Sequence, residues 1–160
     1  IVSDVTERRR MRAELAQTHA ALSQVVNAMD AHLFTLRIDA DGGHRAVYRG
    51  PNREALVGGT LGGTDDDDHA YEALVHPDDR EHWRSAIDAT GAGAEIDLEY
   101  RTCGLDGRER IISEQLRPRR DADGTLFYDG VSRDITARRR SDENSERMKT
   151  AITRTSMRES

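Results

Sequence analysis

The chain has 160 residues and carries 30 acidic against 24 basic side chains, a net charge of −6. This length predicts a single domain, and the acidic balance argues against non-specific binding to nucleic acid or to an anionic membrane. Cys103 is the only cysteine, which excludes an intrachain disulfide. No apolar run approaches the roughly 20 residues of a membrane span. We therefore expect a cytoplasmic domain with no membrane segment of its own.

One phrase occurs near both ends of the chain. Val2–Arg10 reads VSDVTERRR, and Val131–Arg140 reads VSRDITARRR. The aspartates of the two copies, Asp4 and Asp134, are 134 − 4 = 130 residues apart, which is about one domain. Each copy ends in Asp-x-Thr before a charged stretch, a pattern that predicts a strand running into a capped helix. We therefore expect residues 1–6 to be the end of a preceding module in a tandem array.

The stretch after the first copy has the pattern of a helix, which we place at residues 7–30. Thr6 is its predicted N-cap, and Thr136 is the corresponding cap after the second copy, because a threonine hydroxyl accepts a hydrogen bond from the first turn. Apolar side chains then recur at alternating spacings of four and three, as in a two-stranded coiled coil. This seam predicts a homodimer through the N-terminal helix. Its residues are Met11, Leu15, Thr18, Leu22, Val25 and Met29.

A single amphipathic helix that packs on its own domain is the alternative. Ala21, Val26 and Ala28 broaden the apolar stripe toward the end of the helix and favour the alternative there. We expect a dimeric seam early in the helix and intramolecular packing late.

Three Asp-Gly pairs punctuate the rest of the chain, at Asp41, Asp106 and Asp123. Asp-Gly between extended runs is a strong hairpin signal. Ile96, Leu98 and their alternating acidic neighbours suit an antiparallel strand with one buried face. The pattern predicts one hairpin and one three-stranded meander, with strands at 32–39, 44–49, 94–103, 108–117 and 125–134.

About forty residues of helix and loop separate the second strand from the third. Residues 52–57 predict a short helix closed by two glycines, and residues 58–68 an exposed acidic loop. The next helix begins at Pro77, since proline suits the first helical position. His76 before it is interpreted as a capping residue rather than a catalytic one, and no catalytic residue is predicted.

This order of elements resembles the PAS domain, in particular the subfamily with a His-Pro-Asp-Asp-Arg motif and a C-terminal Asp-Ile-Thr. The resemblance covers residues 22–140. It implies an α+β fold: a five-stranded antiparallel sheet with a helical crossover on one face, flanked by N- and C-terminal signalling helices. It sets the core at 31–136 and a partly disordered C-terminal linker helix at 137–160. The matching residues are Tyr48 to Asn52, His76 to Arg80, Tyr100-Arg101, Asp106-Gly107 and Gly130 to Thr136.

The resemblance implies a sensory or relay module of a signalling protein, with its catalytic output domain, a diguanylate cyclase or a histidine kinase, outside this chain. The signal would pass through the strand-to-helix joints, at Asp134 and Thr136 and, from the upstream module, at Asp4 and Thr6. The alternative is that these residues only end a strand and begin a helix.

A small-molecule pocket is expected between the sheet and the crossover helices. A haem- or flavin-binding sensor is the alternative function. His69 and His82 flank the helix that carries the axial ligand in haem-binding relatives, and Cys103 lies outside the helical motif of light-sensing relatives. Asp65–Asp68 are interpreted as a solvated loop, and no metal site is predicted. The predicted pocket residues are Phe34, Tyr48, Leu56, Trp83, Leu98 and Tyr100.

Overall fold

Five antiparallel strands form one sheet in the computed structural model, which describes residues 2–62 and 67–158. The strands are β1 His32–Ile38, β2 His44–Arg49, β3 Ile96–Cys103, β4 Glu109–Arg120 and β5 Leu126–Asp134. The predicted hairpin and meander are both present, and β5 joins them into one sheet by pairing with β1, in the order β2-β1-β5-β4-β3. Strand β4 continues three residues beyond the predicted end, through Pro118.

One face of this sheet carries the core. Burial alternates strictly along β3 and β4, because successive side chains of a strand point to opposite faces. The inner faces of the three meander strands supply most of the core. Ile38 of β1 and the crossover residues Leu56, Val75 and Trp83 complete it. The outer face carries ion pairs, including Arg117–Asp97 at 2.8 Å and Arg119–Asp129 at 2.8 Å.

The crossover comprises helices α2 Arg53–Val57, α3 Asp67–Glu72 and α4 Arg80–Ala89. A 3-10 turn at Pro77–Asp79 precedes α4, and the ring nitrogen Nδ1 of His76 accepts a hydrogen bond from the Asp78 N–H at 3.2 Å. The capping role of His76 is thereby confirmed.

The N-terminal helix α1, Val2–Ala28, begins earlier than predicted. Thr6 lies inside it and is not an N-cap, and Asp4 lies in its first turn rather than at the end of a strand. The second copy of the phrase lies in β5, where β1 and β4 take up its backbone hydrogen bonds. No strand in the described residues pairs with the first copy, and a helix satisfies backbone groups internally.

The late intramolecular packing expected for α1 is also absent. Ala21 and Ala28 are exposed, as is every other described side chain of α1 except the half-buried Ser23. The side chain of Val26 lies outside the described residues. No helix of the described chain is both long and apolar enough to span a bilayer.

The C-terminal helix α5 is continuous from Thr136 to Arg158, whereas partial disorder was expected from residue 137. Threonine hydroxyls along it bond to the carbonyl four residues earlier, as Thr150 does to Glu146 and Thr153 to Lys149. Near its start, Arg139 forms an ion pair with Glu99 of β3. That contact holds the first turns of α5 against the outer face of the sheet.

Candidate functional site

A cavity of about 90 Å³ lies between the inner face of the sheet and the crossover helices. Its apolar wall comes from β1, β2, α2 and α4, and includes Phe34, Leu36 and Ile87. Its polar wall comes from β4, β5 and α3. The cavity is about half open to solvent. A closed cavity of about 150 Å³ accommodates benzene, so the walls here surround a group of only a few heavy atoms.

Glu114 is the buried carboxyl group of this cavity, and its residue is 6% exposed. Its Oε2 accepts hydrogen bonds from the hydroxyls of Tyr100 at 2.5 Å and Ser132 at 3.4 Å. The Tyr71 hydroxyl lies 2.6 Å from that of Tyr100. Since Tyr100 gives its one proton to Glu114, Tyr71 donates to Tyr100. The three hydroxyls therefore all orient toward one carboxylate.

Burial raises the pKa of the Glu114 carboxyl, and this effect outweighs the hydrogen bonds from Tyr100 and Ser132, which lower it. The negative charge of Asp68 raises it further. Burial and the nearby Glu114 charge also raise the pKa values of the Tyr71 and Tyr100 hydroxyls. The site thus holds an acceptor whose negative charge is stabilised by hydroxyls alone.

Trp83 and two arginines provide donors around the same cavity. The indole Nε1–H of Trp83 is buried and has no hydrogen-bond acceptor. Arg49, which is exposed, and Arg53, which is half-buried, also line the cavity. Their charges, after the larger effect of burial, lower the pKa of His32 in the cavity wall. The wall therefore carries a buried carboxyl group bonded to hydroxyls and a buried indole N–H without an acceptor.

Helix α3 is held over the cavity by His44 of β2. One ring nitrogen of His44 lies 2.7 Å from the Asp68 carboxylate, and the other lies 2.7 Å from the Thr90 hydroxyl after α4. Asp68 and Tyr71 of α3 both line the cavity. The position of α3 therefore sets part of the cavity wall.

Three of the predicted pocket residues, Phe34, Leu56 and Trp83, lie in the cavity wall. The Phe34 ring covers Gly130, its cross-strand partner, so closely that a Cβ at Gly130 would collide with it. Leu98 and Tyr100 are buried in the core beside the cavity and are not part of its surface. Tyr100 acts on the cavity through its hydroxyl.

Tyr48 was placed in the pocket wrongly. It is 50% exposed and lies outside the cavity wall. The register between β1 and β2 shifts at Thr35/Leu36, so that Val47 is an extra residue without a partner. A bulge of this kind reverses the faces of the residues that follow it. Ala46 before the bulge and Arg49 after it therefore face the cavity, and Tyr48 faces outward.

The joint between β5 and α5 is built from Asp134 and Thr136. The Asp134 carboxylate accepts a hydrogen bond from the Thr136 N–H at 3.0 Å and another from its hydroxyl. The Thr136 hydroxyl in turn accepts the Ile111 N–H of β4 at 2.9 Å. Asp134, and not Thr136 as predicted, therefore satisfies the first N–H of the helix, while the Thr136 side chain ties α5 to the sheet.

Arg110 connects this joint to the wall of the cavity. Its guanidinium forms two hydrogen bonds with Asp106, at 2.9 and 2.7 Å, and lies 3.7 Å from Asp134. The Asp106 carboxylate contacts Gly58, the left-handed residue that ends α2, where any side chain would collide with it. The Leu105 N–H also donates to the Val57 carbonyl at 2.8 Å. A continuous set of contacts thus runs from α2 to α5.

A cleft at the joint shares two wall residues with the cavity. His32 and Leu56 line both spaces, and the cleft is also lined by Asp134 and Thr136. The side-chain amide of Asn52 donates to the carbonyls of Met29 and Ala31, at 2.9 and 3.2 Å. The segment that follows α1 is therefore attached to the start of α2, the same helix that borders the cavity.

Haem and flavin do not fit this site. Either group is far larger than a cavity that encloses only a few heavy atoms, and the predicted axial-ligand candidates His69 and His82 are exposed and outside the cavity wall. No cluster of metal-ligating side chains occurs in the residues that the structure describes. Of the acidic run, Asp65 and Asp66 lie outside the described residues, and Asp68 pairs with His44.

Glu114 and Arg110 were missed from the sequence, although β4 contains a signal for both. They alternate with Ile112 and Leu116, so all four side chains share the inner face. A charged residue on the buried, apolar face of a strand points to a partner or a site, because burying an unpaired charge is energetically unfavourable. These two charged residues in an otherwise apolar series mark the cavity, at Glu114, and the joint, at Arg110.

A family model described as "PAS fold" matches residues 46–131, which is more than half of the chain. The N-terminal domain of a diguanylate cyclase with PAS/PAC sensor from Marinobacter aquaeolei is similar, with 24% identity, a TM-score of 0.55, and 68% of this chain and 98% of that one covered. A sensory box histidine kinase/response regulator from Burkholderia thailandensis has 21% identity and a TM-score of 0.55 over 83% and 98%. A LOV protein from Rhodobacter sphaeroides has 17% identity and a TM-score of 0.51 over 74% and 68%.

Identities this low show a shared fold and nothing further. No curated protein matches the chain.

Proposed function

Because the chain belongs to the PAS-fold family, we propose that it is a sensory and relay module that passes the state of its cavity to helix α5 through the β5–α5 joint. One observation carries this proposal: Leu56 and His32 line both the cavity and the cleft at the joint, and Arg110 links Asp106, beside α2, to Asp134. A change in the cavity that moves α2 would therefore alter contacts at the start of α5.

Dimerisation through α1 is part of the proposal. The seam side chains are exposed, Leu15 to 71% and Leu22 to 61%. The outer face of the sheet carries ion pairs such as Arg119–Asp129 and offers less apolar surface for association. A second copy of α1 would cover the seam and place two α5 helices in one assembly.

The output domain is proposed to be a diguanylate cyclase or a histidine kinase, since similar solved structures come from proteins with those names. PAS domains are sensory modules in such proteins, and the catalysis belongs to other domains. A cytoplasmic location accompanies this proposal and rests on the reading of the sequence.

A cavity-filling substitution tests the relay. Ala46 is half-buried in the cavity wall, so Ala46→Leu occupies part of the space without adding a polar group. We expect hydrogen exchange of the backbone amides at 137–140 to change severalfold. Ala122→Leu, in an exposed turn, is the control. Unchanged exchange in Ala46→Leu, with altered Trp83 fluorescence as proof that the cavity changed, would contradict the proposal.

The cofactor-binding alternative predicts a coloured protein. A Soret or flavin absorption band in the purified chain would favour it, and the size of the cavity argues against that result.

A further inference from the structure

Helix α3 is attached to the rest of the domain differently at its two ends. Beyond its last turn, Val75 is buried and forms a backbone bridge to Thr102 of β3. At its start, Nδ1 of His44 lies 2.7 Å from the Asp68 carboxylate, while Nε2 of the same ring lies 2.7 Å from the Thr90 hydroxyl. We call these two contacts of His44 the α3 latch, since they hold the start of α3 against β2 and the end of α4.

The partners of His44 determine how many protons its ring carries. The Thr90 hydroxyl donates its one proton to the Ile87 carbonyl at 2.5 Å, because a carbonyl oxygen only accepts. The Thr90 oxygen therefore accepts from Nε2 of His44. The Asp68 carboxylate likewise only accepts, so Nδ1 must donate to it. Both ring nitrogens are donors, and the ring is therefore an imidazolium cation.

We propose that the α3 latch is a pH-dependent switch, closed while the His44 ring carries both protons and opened when the ring loses one. A neutral ring has a single N–H and donates either to Thr90 or to Asp68, which leaves two acceptors facing each other at the other contact. The closed state binds one proton more than the open state, so a rise in pH favours opening. Histidine is the side chain whose charge ordinarily changes between about pH 5 and 8.

Opening of the latch would change the cavity, because α3 supplies part of its wall. Asp68 and Tyr71 both line the cavity. The Tyr71 hydroxyl bonds to that of Tyr100, which donates to Glu114, and the Tyr71 ring lies 6.0 Å from the Trp83 ring. Movement of α3 would therefore disturb the hydroxyls around Glu114. This inference rests on the proposed function, for which it names pH as a condition that controls the sensory cavity.

Other titratable groups of the cavity differ from His44 in their response to pH. Burial lowers the pKa of His32, so that His32 loses its proton at a lower pH than an ordinary histidine. Burial raises the pKa values of the Tyr71 and Tyr100 hydroxyls, which therefore stay protonated at neutral pH. Burial also raises the pKa of Glu114. Glu114 is thus the group whose titration has to be separated from that of His44.

The charged side chains around the latch come from each element near it. Arginine and aspartate side chains ordinarily titrate well outside the range from about pH 6 to about pH 8.5. A response within that range therefore does not originate from these groups. They are Asp68 of α3, Asp88 of α4, Arg53 of α2, Arg49 of β2, and the Arg45–Asp39 pair of the β1–β2 hairpin.

Four substitutions separate the latch from its surroundings. His44→Gln cannot donate at both ends of its side chain, so α3 should be open at every pH. Asp68→Asn supplies an amide that donates to the Nδ1 of a neutral ring, so the latch should stay closed at high pH. Glu114→Gln should keep the pH response. His82→Gln, at an exposed position of α4, is the matched control for a titrating histidine and should also keep it.

Hydrogen exchange at residues 71–74, divided by the intrinsic rate at each pH, measures the opening of α3. In the native chain we expect protection to fall at least about fivefold from about pH 6 to about pH 8.5, since a charge-assisted contact is lost. Trp83 fluorescence should change over the same range. Nitrogen NMR of the His44 ring should show two protonated nitrogens at about pH 6, and circular dichroism establishes that each variant is folded.

Three results would overturn the proposal. The first is equal protection of α3 in the native chain at both pH values. The second is a pH response that persists in His44→Gln or is unchanged in Asp68→Asn. The third is a response that disappears in Glu114→Gln, which would assign the titration to Glu114 instead of His44.

Failure of this inference is distinguishable from failure of the proposed function. The latch is measured at α3, whereas the relay is measured at 137–140 in Ala46→Leu at a single pH. A pH-dependent α3 with unchanged exchange at 137–140 in Ala46→Leu would support the latch and contradict the relay. Altered exchange at 137–140 in Ala46→Leu without a pH response of α3 would support the relay and contradict the latch.

Discussion

Glu114 and Arg110 are the charged side chains of β4 that point toward the interior, and they differ in whether an opposite charge lies beside them. Arg110 is bonded twice to Asp106 and lies near Asp134, so its charge is paired. Glu114 has only hydroxyl donors. A buried ion pair fixes the geometry of its two side chains, whereas a buried carboxylate without a cation lowers the stability of the fold.

Glu114→Gln is expected to stabilise the protein at neutral pH. The pKa of Glu114 is raised in the folded state by burial, so its contribution to stability is present at acid pH and is lost as the pH rises through the raised value. Glutamine does not titrate. Urea unfolding should therefore show a gain of about 1 kcal/mol at pH 7.5 that shrinks toward pH 4. A gain that grows on acidification would contradict this account.

The effect of Asp79→Asn on stability should have the opposite pH dependence. The Asp79 carboxylate accepts three hydrogen bonds from Arg101, from its backbone N–H at 2.8 Å and from its guanidinium at 2.9 and 2.8 Å. The guanidinium bonds lower the pKa of Asp79 to about 2. Its stabilisation is therefore present above pH 4 and is lost as the pH falls toward 2.

Thermal unfolding measures this prediction. We expect Asp79→Asn to lower Tm by about 3–8 °C at pH 7 and to flatten the acid limb of the Tm profile. Asp78→Asn is the control, since that neighbouring side chain is 77% exposed. Equal effects of the two substitutions would remove the special role of Asp79.

At the scale of elements, the alternation of apolar residues and the Asp-Gly turns were sufficient to predict all five strands. The β2 bulge was not predictable, because no glycine or proline marks Val47 and both sides of the shift alternate normally. That one residue placed Tyr48 outside the cavity and Arg49 inside. The first Asp-x-Thr copy was misassigned for a related reason: a strand depends on partners that are distant in sequence, and a local pattern does not reveal their absence.

The β5–α5 joint should weaken when Thr136 loses its hydroxyl. Thr136→Val keeps the branched shape but removes the acceptor for the Ile111 N–H and the donor to Asp134. We expect a loss of about 1 kcal/mol and faster amide exchange at 135–139. Thr153→Val is the matched control within α5, because its hydroxyl bonds only to the helix. Equal exchange in both variants would show that the joint does not anchor the helix.

Helix α1 should govern self-association. Leu15→Glu with Leu22→Glu places charge in the seam, where both leucines are exposed in one copy and would be buried in a coiled coil. Sedimentation equilibrium should give a dimer for the native chain and a monomer for this variant. Gln17→Glu with Gln24→Glu adds the same charge off the seam and should leave the dimer intact. A monomeric native chain would contradict the seam.

At the scale of the whole molecule, we propose one task for each layer. The cavity between the sheet and the crossover helices would receive the signal, the β5–α5 joint would pass it to α5, and α1 would bring two copies together. Arg110 is the side chain that links the first two, because it contacts both Asp106 beside α2 and Asp134 at the joint. The central claim is therefore that the cavity and α5 are energetically coupled through Arg110.

A double-mutant cycle on hydrogen exchange tests that claim most directly. The amides at 137–140 are followed in the native chain, in Ala46→Leu, in Arg110→Met and in the combined variant. We expect Ala46→Leu to change their exchange severalfold in the native background and to have no effect once Arg110 is methionine. An equal effect of Ala46→Leu in both backgrounds, or none in either, would contradict it.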